Sequence, residues 1–335
     1  MSGVRWDGYR RFAAQLWRER GAAGVPEVAL RGAMGLAWEA SWALGRDADL
    51  PDNTVMIVGH QRSGTTLLHR LLAAHPAASS MPLHALVFPA DAVQVPLRSL
   101  PRPQWLDRAQ DRLLARMDPI HRVRLHEPEE DEFLLWALFR SPMNTLDRPW
   151  RDPPWVEVDD GGLAVYAQAV ARSVRRTGLR HVGKNPHFTW RIPALRRALP
   201  GVRVVQLLRD PLQAIPSRLS LIRAIWRTRG LPALDAAAVE RIYQSSLRTY
   251  LGGVGQADLD LSYGALVRDP VGVVRQIHER FGLEPVPEGF AGEVGSAHRR
   301  GPGRHVYALE EFGLSETRVR TDLEPIFERL AALAP

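Results

Sequence analysis

An apolar run, Thr54-Val55-Met56-Ile57-Val58, leads directly into Gly59-His60-Gln61-Arg62-Ser63-Gly64-Thr65-Thr66, and that stretch into Leu67-Leu68-His69-Arg70-Leu71-Leu72. The order reads as strand, phosphate loop and helix. A fold that contains this unit is constrained to a sheet with an anion site where the strand ends. The backbone N–H groups of the loop, with the helix N-terminus behind them, cradle a phosphate-like group. Gly59 and Gly64 take the glycine positions of a Walker A loop, but Thr65 stands where that loop carries lysine. The cation comes three residues earlier, as Arg62. Nucleotide triphosphatases rely on the missing lysine at the β- and γ-phosphates. This loop therefore holds a phosphate without being built for ordinary ATP or GTP hydrolysis.

Two further passages carry anion chemistry. Val202-Arg203-Val204-Val205-Gln206-Leu207-Leu208-Arg209-Asp210-Pro211 reads as a buried parallel strand ending in Arg209, then a turn and a helix that carries Ser217. The planar fork of arginine donates two parallel hydrogen bonds to a phosphate. Lys184 is the single lysine among 44 Lys plus Arg residues. A compact, rotatable ammonium retained among so many guanidinium groups points to a place where a wide plane does not serve. It lies in His181-Val182-Gly183-Lys184-Asn185-Pro186, a short apolar passage like a strand end.

Taken together, these passages resemble the sulfotransferases that use 3′-phosphoadenosine 5′-phosphosulfate (PAPS). Arg62-Ser63-Gly64-Thr65-Thr66 looks like the branch that contains the Golgi tyrosylprotein and carbohydrate enzymes and many bacterial members. The resemblance runs from about residue 54 to 320 and implies roles for particular residues. Gly59, Arg62, Ser63, Gly64, Thr65 and Thr66 would hold the 5′-phosphosulfate, and Arg209 with Ser217 the 3′-phosphate. Lys184-Asn185-Pro186 matches the family's Lys-x-Pro motif, which puts Lys184 beside the transferring sulfuryl group. Tyr263, in Ser262-Tyr263-Gly264-Ala265-Leu266-Val267-Arg268-Asp269-Pro270, would lie by the adenine. The basic loop with Arg299, Arg300 and Arg304 would close over the nucleotide. The implied reaction is metal-independent, in-line sulfuryl transfer from PAPS to a hydroxyl or amine of a small molecule, lipid or sugar.

The general base departs from the family pattern. Many relatives carry a glutamate beyond the loop, but this chain reads Met81-Pro82-Leu83-His84-Ala85-Leu86 there. His84 is the nearest titrating group and has a suitable ordinary pKa. Glu130, in Glu127-Pro128-Glu129-Glu130-Asp131-Glu132, is the second candidate. Pro128 also suits the first turn of a helix, where acids complement the dipole.

With 335 residues and 45% hydrophobic content there is room for a large α/β domain. Its expected architecture is a P-loop-type, mostly parallel sheet flanked by helices, with strands near 54–58, 181–184, 202–208 and 258–263. Residues 51–335 form this domain, and 1–50 an N-terminal helical extension packed on the core. Helices are expected at 5–20 and 26–45, and as insertions at 104–118 and 128–140. Pro-rich 141–155 reads as an irregular loop. In the first helix Trp6, Tyr9, Phe12, Ala13, Leu16 and Trp17 share a face, which reads as a cap on the core rather than a membrane-surface helix. Segment 27–44 comes nearest to a membrane span, but Glu27, Arg31 and Glu39 interrupt it.

The net charge of +7 favours anionic partners. Its arginines are dispersed among acids, and nucleic-acid motifs are missing, so the expected partners are a nucleotide co-substrate and an acceptor rather than nucleic acid. A homodimer is left open. The chain has no cysteine, hence no disulfide or Cys-ligated zinc, which fits a reducing cytoplasm. The N-terminus lacks the layout of a signal peptide. A P-loop kinase-like phosphotransferase and a non-catalytic basic nucleotide- or nucleic-acid-binding module are the alternatives. The Trp/Leu/Phe-rich stretches 133–155 and 219–231 hint at an apolar acceptor cleft.

Overall fold

Two helices open the chain, α1 at Trp6–Arg20 and α2 at Val25–Ala43, joined by a 3-10 turn at Gly21–Gly24. The computed structural model describes residues 3–88, 94, 124–146, 159–228, 230–290 and 308–333. They fall into two compact units, one drawn from Met1–Pro51, Met81–Asp118 and Arg122–Gly178, the other from Asp52–Ser80, Pro119–His121 and Leu179–Pro335.

The first unit is helical. Phe12 and Leu16 of α1 are buried, and the Tyr9 and Phe12 rings lie 5.3 and 5.4 Å from that of Phe139. Of the charged residues of α2, Arg31 and Glu39 turn toward their own unit. Arg31 donates to the Trp136 carbonyl and to Asn144 Oδ1, both at 2.8 Å, and its guanidinium sits 3.6 Å from the centroid of the Trp136 ring. Glu39 accepts from the amide of Val4 at 2.7 Å, and Glu27 pairs with Arg20. The helix expected at 128–140 is shorter and runs Glu132–Ala137. Ahead of it the chain lies alongside the segment at 82–84. The amides of Leu83 and His84 donate to the carbonyls of Glu127 and Leu125, and Pro82 and Pro128 form an antiparallel bridge. Pro128 therefore lies in this bridge and not in a first helical turn, because its neighbours' carbonyls are used across the chain. Within 141–155, Met143–Leu146 is a short helix rather than irregular loop. Residues 147–155 and the helix expected at 104–118 lie outside the described residues.

The second unit is built on a sheet of five parallel strands: β1 Val55–Val58, β2 Ala78–Ser79, β3 Arg180–Lys184, β4 Arg203–Leu208 and β5 Leu259–Ser262. Their order is β2-β3-β1-β4-β5, with β1 central. Val55 is level with Val182 on β3 and with Arg203 on β4. The expected α/β fold with a parallel sheet and the four expected strands are borne out. The two-residue β2 was missed, being too short to carry a period. Helix α3, Thr65–Ala73, follows β1 and buries Leu68, Leu71 and Leu72 against the sheet. A second apolar cluster joins the helices Pro211–Thr228 and Ala236–Gly253 to the C-terminal pair, Glu316–Asp322 and Glu324–Ala332, through residues such as Leu219, Tyr243, Val319 and Ile326. Ser315 caps the first of that pair by accepting from the amide of Arg318. Among the described residues no helix is long and apolar enough to cross a membrane.

Candidate active site

The central strand delivers its loop at the carboxyl edge of the sheet, the place where open α/β sheets bind ligands. Gly59 leaves β1 with φ 137°, and a Cβ there would run into the carbonyl of Leu207 on the neighbouring β4. Its amide donates to Thr189 Oγ1 at 2.9 Å, which ties the loop to the turn after β3. Arg62 adopts φ 72°, a left-handed conformation uncommon for a residue with a side chain. Gly64 follows with φ 90°, and its missing Cβ leaves room for the Tyr263 ring, which would otherwise lie 2.6 Å away. The first intrahelical bonds of α3 run from Leu67 and Leu68 back to Gly64. The amides of Thr65 and Thr66 therefore open the helix as free-ended donors of the kind that bind anions.

Three cations converge on this loop. Lys184 ends β3, is 1% exposed, and donates from Nζ to Thr66 Oγ1 at 3.2 Å. Arg62 Nε donates to Ser217 Oγ at 3.2 Å. Arg209 follows β4 and donates from Nη1 to the carbonyl of Arg62 at 2.8 Å. The remaining edge of its fork meets Gln213 Oε1, and its guanidinium lies 4.6 Å from the centre of the Tyr263 ring. Asp210, the carboxylate next in sequence, is turned away to the amide of Leu212. Seven of the positions singled out in the sequence (Arg62, Gly64, Thr66, Lys184, Arg209, Ser217 and Tyr263) are thus joined by direct contacts, with Gly59, Ser63 and Thr65 in the same loop. Arg299, Arg300 and Arg304 lie outside the described residues.

A buried polar layer behind the loop escaped the sequence reading. His60 stacks on Tyr250 with ring centres 4.6 Å apart and planes 8° from parallel. Burial holds the His60 imidazole well below its ordinary pKa, and the nearby Arg218 charge adds to the effect. Tyr250 donates to the carbonyl of Arg209 at 3.0 Å, and burial raises its phenol. Arg218 is buried among Ser245, Ser246 and the Ile242 carbonyl, and desolvation lowers its pKa to about 10. His187 meets Gln61 at 3.3 Å and is also held neutral by burial. His60 was visible as a loop residue, but its partners come from distant helices and no local pattern marks them.

The two base candidates lie in the first unit. His84 sits on the short helix Leu83–Val87, with its ring 5.0 Å from that of His126. Glu130 lies just before the helix Glu132–Ala137, and its amide donates to Glu129 Oε1. Three acids of that segment, Glu129, Asp131 and Glu132, are buried, and Asp131 accepts from Tyr166 Oη at 2.6 Å; the sequence reading had not singled out this pair. Part of the apolar stretches expected to line a cleft is core, while Phe133, Trp136 and Leu221 are half-buried. Leu134 and Leu135 are fully buried, and Leu219, Ile222 and Trp226 belong to the second unit's helical cluster.

A model of the sulfotransferase family matches residues 54–288, a span that contains the loop, Lys184, Arg209, Ser217 and Tyr263. The chain belongs to the sulfotransferase family. It is 29% identical over 257 residues to the omega-hydroxy-beta-dihydromenaquinone-9 sulfotransferase Stf3 of Mycobacterium bovis and to that of Mycobacterium tuberculosis. The match covers 70% of this chain and 64% of each of these curated relatives, less than two thirds of their length. Among solved structures, sulfotransferase STF1 from Mycobacterium tuberculosis superposes with a TM-score of 0.74 at 21% identity, covering 95% of this chain and 92% of that one. Sulfotransferase STF9 from Mycobacterium avium gives 0.67 at 22% identity, covering 85% and 77%. At these identities the two structures establish a shared fold.

Proposed function

We propose that this chain transfers a sulfuryl group from PAPS to a hydroxyl group on an apolar small molecule or lipid. The observation that carries the reading is the gathering of Lys184, Arg62 and Arg209 around one glycine loop, together with the Thr66 and Ser217 hydroxyls. Cations, hydroxyl groups and opening helix amides make a donor set that fits a polyanionic nucleotide. The close seat of Tyr263 on Gly64 and beside Arg209 supplies a flat surface next to it, suited to the adenine.

PAPS, when bound, supplies the sulfuryl group and a bisphosphate leaving group. Lys184 and Arg62 then stabilise the charge that builds on the leaving phosphate and the sulfuryl oxygens. Arg209 and Ser217 hold the 3′-phosphate. The base that takes the acceptor's proton is His84, with Glu130 ranked second. No protein-bound metal enters this scheme. The acceptor class follows the curated relatives, which are named for an omega-hydroxy-beta-dihydromenaquinone-9 substrate.

Calorimetry tests the donor site. Adenosine 3′,5′-bisphosphate should bind more tightly than AMP by roughly 1.5–3 kcal/mol, the value of a charge-assisted contact. Equal affinities would remove PAPS from the reading. Incubation with PAPS and a panel of hydroxylated apolar acceptors, followed by mass spectrometry for added sulfate, tests the transfer itself.

A further inference from the structure

Helix α2 is built inside out. Every exposed residue from Val25 to Leu44 is apolar, while Glu27, Arg31 and Glu39 are turned into hydrogen bonds or ion pairs of their own unit. At 3.6 residues per turn the exposed positions fall within an arc of about 140°. Leu30, Leu36 and Leu44 are 61%, 64% and 75% exposed. Helix α1 extends the surface with Trp17, 59% exposed although its spacing placed it on the buried face. Between the two helices a cavity of about 300 Å³ is lined by Ala13, Trp17, Gly24, Val25, Val28 and Ala29. Ordinary solvent-facing helices carry charge on this side, and a contiguous apolar face marks an interaction site.

The exposed charge beside this face is mostly positive. Arg10, Arg11, Arg18 and Arg20 are exposed on α1, against a single exposed acid, Glu19. Arg11 and Arg20 lie near Asp7 and Glu27, whereas Arg10 and Arg18 meet no carboxylate among the described residues. We propose that the outer face of α1 and α2 lies on an anionic lipid bilayer, with the leucines and Trp17 entering the headgroup boundary and the arginines meeting lipid phosphates. Tryptophan is enriched at that depth.

Charge separates this partner from a second copy of the chain. A second copy would bring the same four exposed arginines of α1, with Glu19 the single exposed acid of that helix to meet them. A bilayer needs no matching shape and supplies the opposite charge.

The inference does not depend on the proposed transfer reaction. A chain that binds vesicles but not adenosine 3′,5′-bisphosphate would overturn only the latter. The test is flotation of the full chain with vesicles of phosphatidylcholine alone and of phosphatidylcholine with a third phosphatidylglycerol. The chain should float with the anionic vesicles and less with the neutral ones. Leu30→Glu combined with Leu36→Glu, at positions too exposed to disturb packing, should weaken flotation about tenfold or more. Arg10→Glu combined with Arg18→Glu should remove the preference for phosphatidylglycerol, about fivefold for each arginine. Circular dichroism and melting should show both variants folded. The proposal is overturned if the chain floats with neither vesicle, or if the leucine variant floats as well as the parent. It is equally overturned if sedimentation equilibrium finds a dimer that the leucine variant dissolves while vesicles go unbound, which would assign the face to a second copy.

Discussion

Lys184 differs from the other cations of the loop in where it sits. Arg62 belongs to the loop itself and Arg209 meets its backbone from the end of β4, whereas the Lys184 ammonium ends a buried strand and is seated against Thr66. A guanidinium is wider and directs its donors in one plane. Lys184→Arg should therefore lower single-turnover rates by about a hundredfold or more, the usual scale for one transition-state donor. Folding and nucleotide affinity should suffer far less, as melting and calorimetry would report; a near-parental rate with saturating PAPS would remove the specific need for lysine. The base is tested at the same scale. His84→Asn should lower turnover by roughly 10²–10⁴ and abolish the acid-side inflection of the pH–rate profile, where imidazole is protonated. If Glu130→Gln loses both while His84→Asn keeps them, the base is Glu130.

Among the elements, the phosphate loop combines backbone strain with a close contact. Gly64 has both a positive φ and a Tyr263 ring where a Cβ would go, while Gly255 has a positive φ of 68° and open space around it. Gly64→Ala should cost more than Gly255→Ala, whose penalty is limited to about 1–3 kcal/mol of backbone strain. It should also weaken binding of adenosine 3′,5′-bisphosphate, which Gly255→Ala should leave alone; thermal melts with and without the nucleotide separate the two. Elements of this kind were readable in the sequence because they are local. An apolar run ending in glycine or arginine marks a buried parallel strand, and β1, before Gly59, and β4, before Arg209, carry one, whereas β3 and β5 are short and mixed and were read from the motifs beside them. The segment from Leu125 to Pro128 could not be read in this way. Its acids and proline look like a helix start, yet hydrogen bonds to Leu83 and His84, some forty residues earlier, hold it alongside them. Trp17 misled for a related reason. Spacing puts it on the face that buries Phe12 and Leu16, but at the edge of that face, and spacing does not say how far the core extends around a helix.

For the molecule as a whole, folding gathers a layer of polar groups that share no sequence neighbourhood: His60 on the loop, His187 after β3, Arg218 and Tyr250 on separate helices. None of these contacts was legible beforehand, since each depends on how helices and strands pack. Their common property is burial beside positive charge, so both imidazoles are held neutral, with pKa values well below the ordinary value. In the unfolded chain the same histidines take up protons as the pH falls through about 6.5. The unfolded state then binds more protons than the folded one, and stability declines with falling pH. The contribution is complete above the unfolded pKa and is lost progressively below it, toward the depressed folded values. Without nucleotide, the melting temperature should accordingly hold steady on the alkaline side of that value and drop as the pH is lowered toward 5. His60→Phe keeps an aromatic ring on Tyr250 and removes one titrating group, so its melting temperature should fall less steeply over the same range. An identical slope for parent and variant would show that His60 is not among the groups that set the acid limit of this fold.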